Sequence, residues 1–179
     1  DAKGNPVGQF LMVLFSLLYG IISYSFNYYG EMITYLGMTM PMAIFALISW
    51  LKNPYKNNKA EVKVNTISKK ELFFMGICTV VITVLFYFIL EHYKTANIIP
   101  STLSVTTSFI AVYLTFRRSP LFALAYAAND IVLIALWILA SLSDIRYISV
   151  VACFGAFWVN DIYGYISWQK MKIRQKENS

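Results

Sequence analysis

Six long apolar runs are the feature that most limits what this chain can fold into. Each comes near the roughly 20 residues that a helix needs to cross about 30 Å of hydrocarbon. A soluble domain could not cover these runs, because only 13% of the 179 residues are charged and 58% are hydrophobic. A membrane barrel would show alternation in segments of about ten residues, and no such alternation is visible. The sequence therefore predicts an all-α, polytopic membrane protein whose six spanning segments are Phe10–Phe26, Met32–Leu51, Leu72–Leu90, Ile98–Phe116, Pro120–Leu142 and Tyr147–Trp168.

The cations divide unevenly between the two ends of these segments. Thirteen of the fifteen Lys and Arg residues lie on one side, in Lys3, the Lys52–Lys70 connection, the Arg117-Arg118 turn and the C-terminal tail. Because basic connections stay in the cytoplasm, the pattern predicts a multi-pass protein of the cytoplasmic membrane with its C-terminus inside. The same bias accounts for the net charge of +6. The lipid bilayer is therefore an expected partner, and nucleic acid is not.

A short internal echo indicates duplication. Ile48-Ser-Trp-Leu-Lys52 ends the second segment, and Ile166-Ser-Trp-Gln-Lys170 ends the sixth, 118 residues later. Both copies end on the basic side, so the two halves share one orientation in the membrane. Two parallel bundles joined by an odd linker helix form a known plan of transporters.

Two acidic side chains lie deep inside predicted helices. Asp130 is roughly 16 Å along the fifth segment, and Asp161 is about 12 Å from the basic end of the sixth, so both can lie near the midplane. Carboxylates at that depth are costly and mark functional sites by default. Hydrogen bonds that only stabilise the helix pair are the structural alternative. Aromatic residues share faces with the two acids at helical spacing, and a pocket of this kind suits a planar, hydroxylated ligand. The candidate binding residues are Tyr126, Asn129, Asp130, Trp137, Phe157, Trp158, Asn160, Asp161, Tyr165 and Ser108.

The remaining polar and aromatic residues favour structural roles. Ser101, Ser104 and Ser108 share one face of the fourth segment, where hydroxyls usually bond to the preceding turn or allow close packing. Cys78 and Cys153 lie inside apolar runs without the spacing of a metal site, so no metal or cofactor is expected. The interfacial anchors predicted at the ends of the runs are Tyr28, Tyr29, Trp50, Tyr55, Tyr93 and Trp168.

Several separated patches resemble one transporter family. Tyr28-Tyr-Gly-Glu-Met32, Met40-Pro-Met42 and Trp50-Leu-Lys52 resemble the first half of PnuC-type vitamin transporters. The stretch from Ser108 to Arg118 resembles the central part of that family. Asp130 to Trp137 and Asn160 to Trp168 resemble its last two helices, so the resemblance covers nearly the whole chain.

The resemblance implies uptake of nicotinamide riboside without ion coupling, with phosphorylation in the cytoplasm preventing escape. It also implies seven helices in a three-plus-one-plus-three order related to SWEET carriers. On that plan this chain lacks the first helix, which fits a beginning without Met. The expected organisation is the rest of the first bundle (1–52), a basic cytoplasmic loop (53–70), a linker helix (71–92), the second bundle (97–170) and a cytoplasmic tail (171–179).

Departures from the family pattern leave the substrate open. Ala43, Val112, Ala123, Tyr126 and Tyr165 stand where the family commonly has Gln or Trp. Thiamine or another ring-bearing vitamin is the alternative substrate, and a proton-coupled carrier using Asp130 or Asp161 is the alternative mechanism. An intramembrane aspartyl protease would need Tyr-Asp and Gly-x-Gly-Asp motifs, and both are absent from the sequence, so no enzyme activity is expected. The sequence also leaves a homo-oligomer open.

Overall fold

The computed structural model of the protein describes residues 1–25, 29–56, 58–95 and 97–178. Within these residues, six helices are long and apolar enough to cross a membrane, which confirms the predicted fold class. Helix α6 continues well beyond the predicted end at Trp168, because its last turns carry the charged helix formers of the tail. The helices are α1 (Val7–Ser25), α2 (Tyr29–Leu51), α3 (Lys69–His92), α4 (Ile98–Phe116), α5 (Leu121–Ser141) and α6 (Ile148–Glu177), with a 3₁₀ turn at Ile145–Tyr147 before α6.

The helices pack as two groups with a peripheral helix. Helices α4, α5 and α6 form one bundle, and α1 packs on α2. The contact of α2 with α4 joins the groups, whereas α3 packs mainly on α4. Most of α3 is exposed and apolar, including Phe73 and Val80, as expected for a helix that faces lipid.

Helix α2 contains a π-helical turn at Tyr35–Thr39, between α-helical parts at Tyr29–Thr34 and Met40–Leu51. Pro41 follows the turn. Its backbone nitrogen carries no hydrogen to donate to the carbonyl of Gly37, and its ring would clash with that carbonyl in a regular α-helix. Local π-helical turns absorb such an interruption and often occur at functional sites. The turn directs Tyr35 and Thr39 toward the interior, where both are buried.

The ends that carry most of the cations come together, and we call this side of the molecule the basic end. Trp50, Phe122 and Trp168 pack against one another there, with ring centroids of Trp50 and Trp168 5.3 Å apart. Both tryptophans are fully buried. Their ring N–H groups donate to Thr115 O and Asp1 O. The interpretation of Trp50 and Trp168 as interfacial anchors was therefore wrong, because these rings face each other in the interior of the basic end. Tyr93 is exposed as an anchor should be, and the predicted anchor Tyr28 lies outside the described residues.

The basic connection, predicted as a loop over 53–70, contains regular secondary structure. It contains a small antiparallel hairpin of β1 (Pro54–Tyr55) and β2 (Asn58–Val62). The side-chain amide of Gln175 on α6 donates to Val62 O and accepts a hydrogen bond from Val64 N. Val62 N donates to Gly4 O, so the hairpin ties the beginning and the end of the chain to one another.

Candidate functional site

A cavity of about 300 Å³ lies among α1, α2, α4, α5 and α6, and we call it the central cavity. Its size is at the lower limit of pockets that hold small molecules. Seven of the ten predicted binding residues line it: Ser108, Tyr126, Asn129, Asp130, Phe157, Asn160 and Asp161. The predicted pairing of α5 with α6 around two acids is thus present, and the binding role of these residues stays a prediction.

Asp130 is the most constrained acid of the cavity. It lies about 14 Å along α5 from Leu121 and is only 4% exposed. Its Oδ2 atom has no hydrogen-bond partner within the described parts of the chain. A buried carboxylate without a partner costs free energy of folding, and a ligand that pairs with it would recover that cost.

Asp161 faces the same cavity from α6. It lies about 11 Å before Trp168, so its depth from the basic end is similar to that of Asp130. Its side chain is partly exposed, and the Asn160 amide nitrogen lies 3.4 Å from its Oδ1. Two carboxylates beside one cavity repel each other when both are charged, and a cation between them removes that repulsion.

Asn129 is held in place by hydroxyl groups of α4. Its Oδ1 lies 2.7 Å from Thr107 Oγ1 and 3.1 Å from Ser108 Oγ. The side-chain amide NH₂ group is then the part of Asn129 that is left to donate toward a ligand. Three threonine hydroxyls on α4 bond to the preceding turn instead: Thr102 to Ile98 O, Thr106 to Thr102 O and Thr115 to Ala111 O.

The first two helices supply cavity residues that the sequence analysis missed. Tyr35 and Thr39 of the π-helical turn line the cavity, and Thr39 Oγ1 is buried without a partner in the described chain. Phe15 of α1 packs edge-on against Phe157, with ring centroids 5.5 Å apart. The sequence does contain a signal for these two residues: Tyr35 and Thr39 are polar, lie four residues apart in an apolar run and so share one helix face.

Three predicted binding residues lie away from this cavity. Trp158 is 39% exposed on the outside of α6, one residue and thus about 100° beyond Phe157. Trp137 is buried beside Leu133 and Phe154 and packs on Tyr147. Tyr165 packs against the aromatic cluster of the basic end. The binding role of these three residues stays a prediction, and none of them lines the central cavity.

The acidic residues differ in whether they form ion pairs. Glu61, Glu71 and Asp144 form ion pairs with Arg174, Arg117 and Arg146. Among the described residues, Glu31, Asp130 and Asp161 have no such pair, and the central cavity is lined by no Lys, Arg or His side chain. Within the described chain, therefore, no basic side chain lines the cavity to balance the charges of Asp130 and Asp161.

A largely apolar cavity with acidic side chains, enclosed by spanning helices near mid-membrane, defines this chain as a membrane transporter of a small solute. The chain belongs to the nicotinamide mononucleotide transporter family, whose sequence model matches residues 1–170. This confirms the resemblance noted from the sequence.

Individual relatives agree with that assignment. The nicotinamide riboside transporter PnuC of Neisseria mucosa is 28% identical over 178 residues, which cover 96% of this chain and 67% of that protein. The fold matches the crystal structure of the vitamin B3 transporter PnuC with a TM-score of 0.81 at 23% identity. That match covers 97% of this chain and 76% of the crystallised one.

Proposed function

We propose that this protein carries nicotinamide riboside across the membrane and binds its positively charged pyridinium ring between Asp130 and Asp161. The observation that carries the proposal is the buried, unpaired Oδ2 of Asp130 in a cavity with a second carboxylate. A ring with a fixed positive charge supplies the counter-ion, and its flat faces suit the aromatic side chains of Phe15, Tyr126 and Phe157. Thr39 Oγ1 and the Asn129 amide supply hydrogen bonds for the ribose hydroxyls.

Other ligands of the same general kind fit less well. The phosphate of nicotinamide mononucleotide would meet the carboxylates of Asp1, Asp130 and Asp161 and no lining Lys, Arg or His side chain. Riboflavin is neutral and has three fused rings, whereas the volume is only about 300 Å³. Thiamine carries a cationic ring and remains the second candidate on electrostatic grounds.

Transport would proceed by alternating access without chemistry on the substrate. The central cavity is lined by both groups of helices, α1 with α2 and α4 with α5 and α6, which meet at the α2–α4 contact. A rocking motion between the two groups would therefore expose the cavity to each end in turn. This proposal assigns α3 to the linker of the three-plus-one-plus-three plan. It also assigns no ion coupling, no cofactor and no enzyme activity to the protein.

Counterflow into liposomes that contain the purified full-length protein tests the substrate. Liposomes preloaded with unlabelled nicotinamide riboside should accumulate the labelled compound, whereas preloading with nicotinamide mononucleotide or riboflavin should give no accumulation. Thiamine preloading should give a smaller signal. Folded protein that exchanges none of these vitamins would contradict the proposal, and exchange of thiamine alone would reassign the substrate.

Proton coupling is the second candidate mechanism, and the unpaired Asp130 carboxylate is the observation that favours it. An imposed proton gradient separates the two mechanisms. Uncoupled transport predicts that net uptake stops at equal concentrations with or without the gradient. Accumulation above the outside concentration, abolished by a protonophore, would establish coupling instead.

We propose that the basic end faces the cytoplasm, since the cations at that end follow the positive-inside bias. Lys59→Cys lies on an exposed strand residue and can be introduced with Cys78→Ser and Cys153→Ser. An impermeant maleimide should label it only after the cells are opened. Rapid labelling of intact cells would reverse the orientation.

A further inference from the structure

A second, smaller cavity lies at the end of the bundle opposite the basic end, and we call it the opposite-end cavity. It measures about 90 Å³ and lies where α2 meets α4 and α5. Its polar wall contains Glu31, Thr95, Asn97 and Ser143, and Leu136 and Leu139 form an apolar floor. Because the two groups of helices meet here, a rocking motion between them would open this cavity to the outside.

Glu31 gives the opposite-end cavity its charge. The residue is 5% exposed, and its Oε2 has no hydrogen-bond partner within the described chain, like the neighbouring Thr95 Oγ1. Glu31 lies in the first turn of α2, where the helix dipole favours an acid. That effect is smaller than the cost of burying an unpaired carboxylate, so capping alone does not explain the residue.

A layer of aromatic rings separates the opposite-end cavity from the central cavity. Tyr35 follows Glu31 by about one helical turn on α2 and lines the central cavity. Its ring centroid lies 4.4 Å from that of Tyr19. Tyr19 in turn meets Phe154 at 6.2 Å. Glu31 therefore stands on one side of this layer, and Asp130 and Asp161 stand on the other.

We propose that the opposite-end cavity is a docking site where the pyridinium ring of incoming nicotinamide riboside pairs with Glu31 before it passes the Tyr19–Tyr35 layer. This inference rests on the proposed function, and it adds a residue and a step that the central cavity does not contain. The apolar floor of Leu136 and Leu139 suits an aromatic cation. A hydrated metal ion would have to exchange its water for a single carboxylate and a few hydroxyls.

Two substrates that match in shape and differ in charge separate docking at Glu31 from transport in general. Reduced nicotinamide riboside has nearly the same shape but a neutral dihydropyridine ring. The experiment measures initial uptake of both compounds, at concentrations well below saturation, into liposomes that contain wild type, Glu31→Gln or Ser143→Ala. Only Glu31→Gln removes a charge from the cavity, and Ser143→Ala controls for a change in its polar wall.

Glu31→Gln should reduce uptake of the cation about tenfold and leave uptake of the neutral compound within twofold of wild type. Equilibrium affinity for nicotinamide riboside, measured by calorimetry, should change less than twofold, because the central cavity is intact. Glu31→Asp keeps the charge. It should retain most of the wild-type preference for the cation over the neutral compound, so it serves if Glu31→Gln folds poorly.

Equal loss of both compounds, or unchanged uptake of the cation, would overturn the docking site. A fall in equilibrium affinity as large as the fall in uptake would also overturn it, because Glu31 would then belong to the final binding site. Failure of the wild type to transport the cation is a separate outcome, since it contradicts the proposed function itself.

Discussion

The two ends of the bundle are built in different ways. At the basic end, Trp50, Phe122 and Trp168 are buried together, and both indole N–H groups have carbonyl partners. At the opposite end, Glu31 and Thr95 face a small cavity with side-chain oxygens that have no partner in the described chain. The ring cluster of the basic end is closely packed, although a polar pocket lined by Lys3, Glu61 and Arg174 lies beside it, whereas the opposite end has a polar cavity between its helices.

The difference indicates which end opens more easily from the conformation seen here. Opening the basic end would separate three large rings, expose apolar surface and break the hydrogen bonds of the hairpin. Opening the opposite end would expose an acid and several hydroxyls, which water solvates well. We therefore expect stability to depend mainly on the basic end, and substrate entry mainly on the opposite end.

The largest expected effect comes from Trp168→Ala. It removes a fully buried ring from the basic end and should lower the free energy of unfolding by about 3–5 kcal/mol. Trp158→Ala is the matched control on the same helix, because Trp158 is 39% exposed, and it should cost less than about 1 kcal/mol. SDS titration in mixed micelles measures both. Similar losses would show that the basic end is not the stable end.

A smaller effect is expected from Gly30→Ala at the opposite end. A Cβ atom there would lie 2.7 Å from Thr95 Cγ2 and 2.8 Å from Leu90 Cδ2. The clash should cost about 1–2 kcal/mol, and Thr95→Ala in the same chain should recover part of it. Gly76→Ala is the control, since nothing lies within 4 Å of that position. Strict additivity of Gly30→Ala and Thr95→Ala would mean that the two residues do not restrict this end.

The smallest difference concerns one ion pair at each end. Glu71 pairs with Arg117 at the basic end and is largely shielded, so Glu71→Gln should cost about 1 kcal/mol. Asp144 pairs with Arg146 at the opposite end, where Arg146 is largely exposed and Asp144 is partly exposed, and Asp144→Asn should change the melting temperature less. Raising NaCl from 0.1 to about 1 M should remove most of the Asp144 effect and less of the Glu71 effect. The reverse order would contradict the assignment of the tighter packing to the basic end.

The same pair makes a pH prediction with a definite sign. Hydrogen bonds from Arg146 lower the pKa of Asp144 from 3.8 to about 2. Its stabilising contribution is therefore complete above pH 3.8 and is lost as the pH falls toward 2. The difference in melting temperature between wild type and Asp144→Asn should be constant from pH 5 to 8 and shrink below pH 4. A difference that grows below pH 4 would contradict the pairing.

Helix number, helix positions and the two central acids could be predicted because they depend on local sequence. Apolar length defines a span, and an acid inside a span has few alternatives to the bundle interior. The Ile-Ser-Trp echo was visible too, but its consequence was not. Trp before Lys at the end of a run is typical of an interfacial anchor, and only the packing of both copies shows that Trp50 and Trp168 face each other.

The contributions of α1 and α2 to the cavity depend on helix rotation, which one sequence does not define. Phe154, Phe157 and Asp161 lie three and four residues apart and face inward together, whereas Trp158 is turned away from them. Glu31 escaped notice because the predicted second segment began one residue later, at Met32. Tyr35 and Thr39 carry no charge, and the π-helical turn that directs them inward has no sequence pattern comparable to an apolar run.

Calorimetric titration of nicotinamide riboside into wild type, Asp130→Asn, Asp161→Asn and the control Asp144→Asn, which lies away from the cavity, tests the central claim most directly. We predict that Asp130→Asn and Asp161→Asn each weaken binding at least tenfold, which corresponds to about 1.4 kcal/mol of binding free energy. Asp144→Asn should bind nicotinamide riboside as wild type does. Neither cavity variant should melt at a lower temperature, because Asp130→Asn removes a buried carboxylate that lacks a hydrogen-bond partner, and Asp161→Asn changes a partly exposed residue that makes no salt bridge with Lys, Arg or His. Wild-type affinity in both folded cavity variants would contradict the claim that the two acids bind the cationic ring.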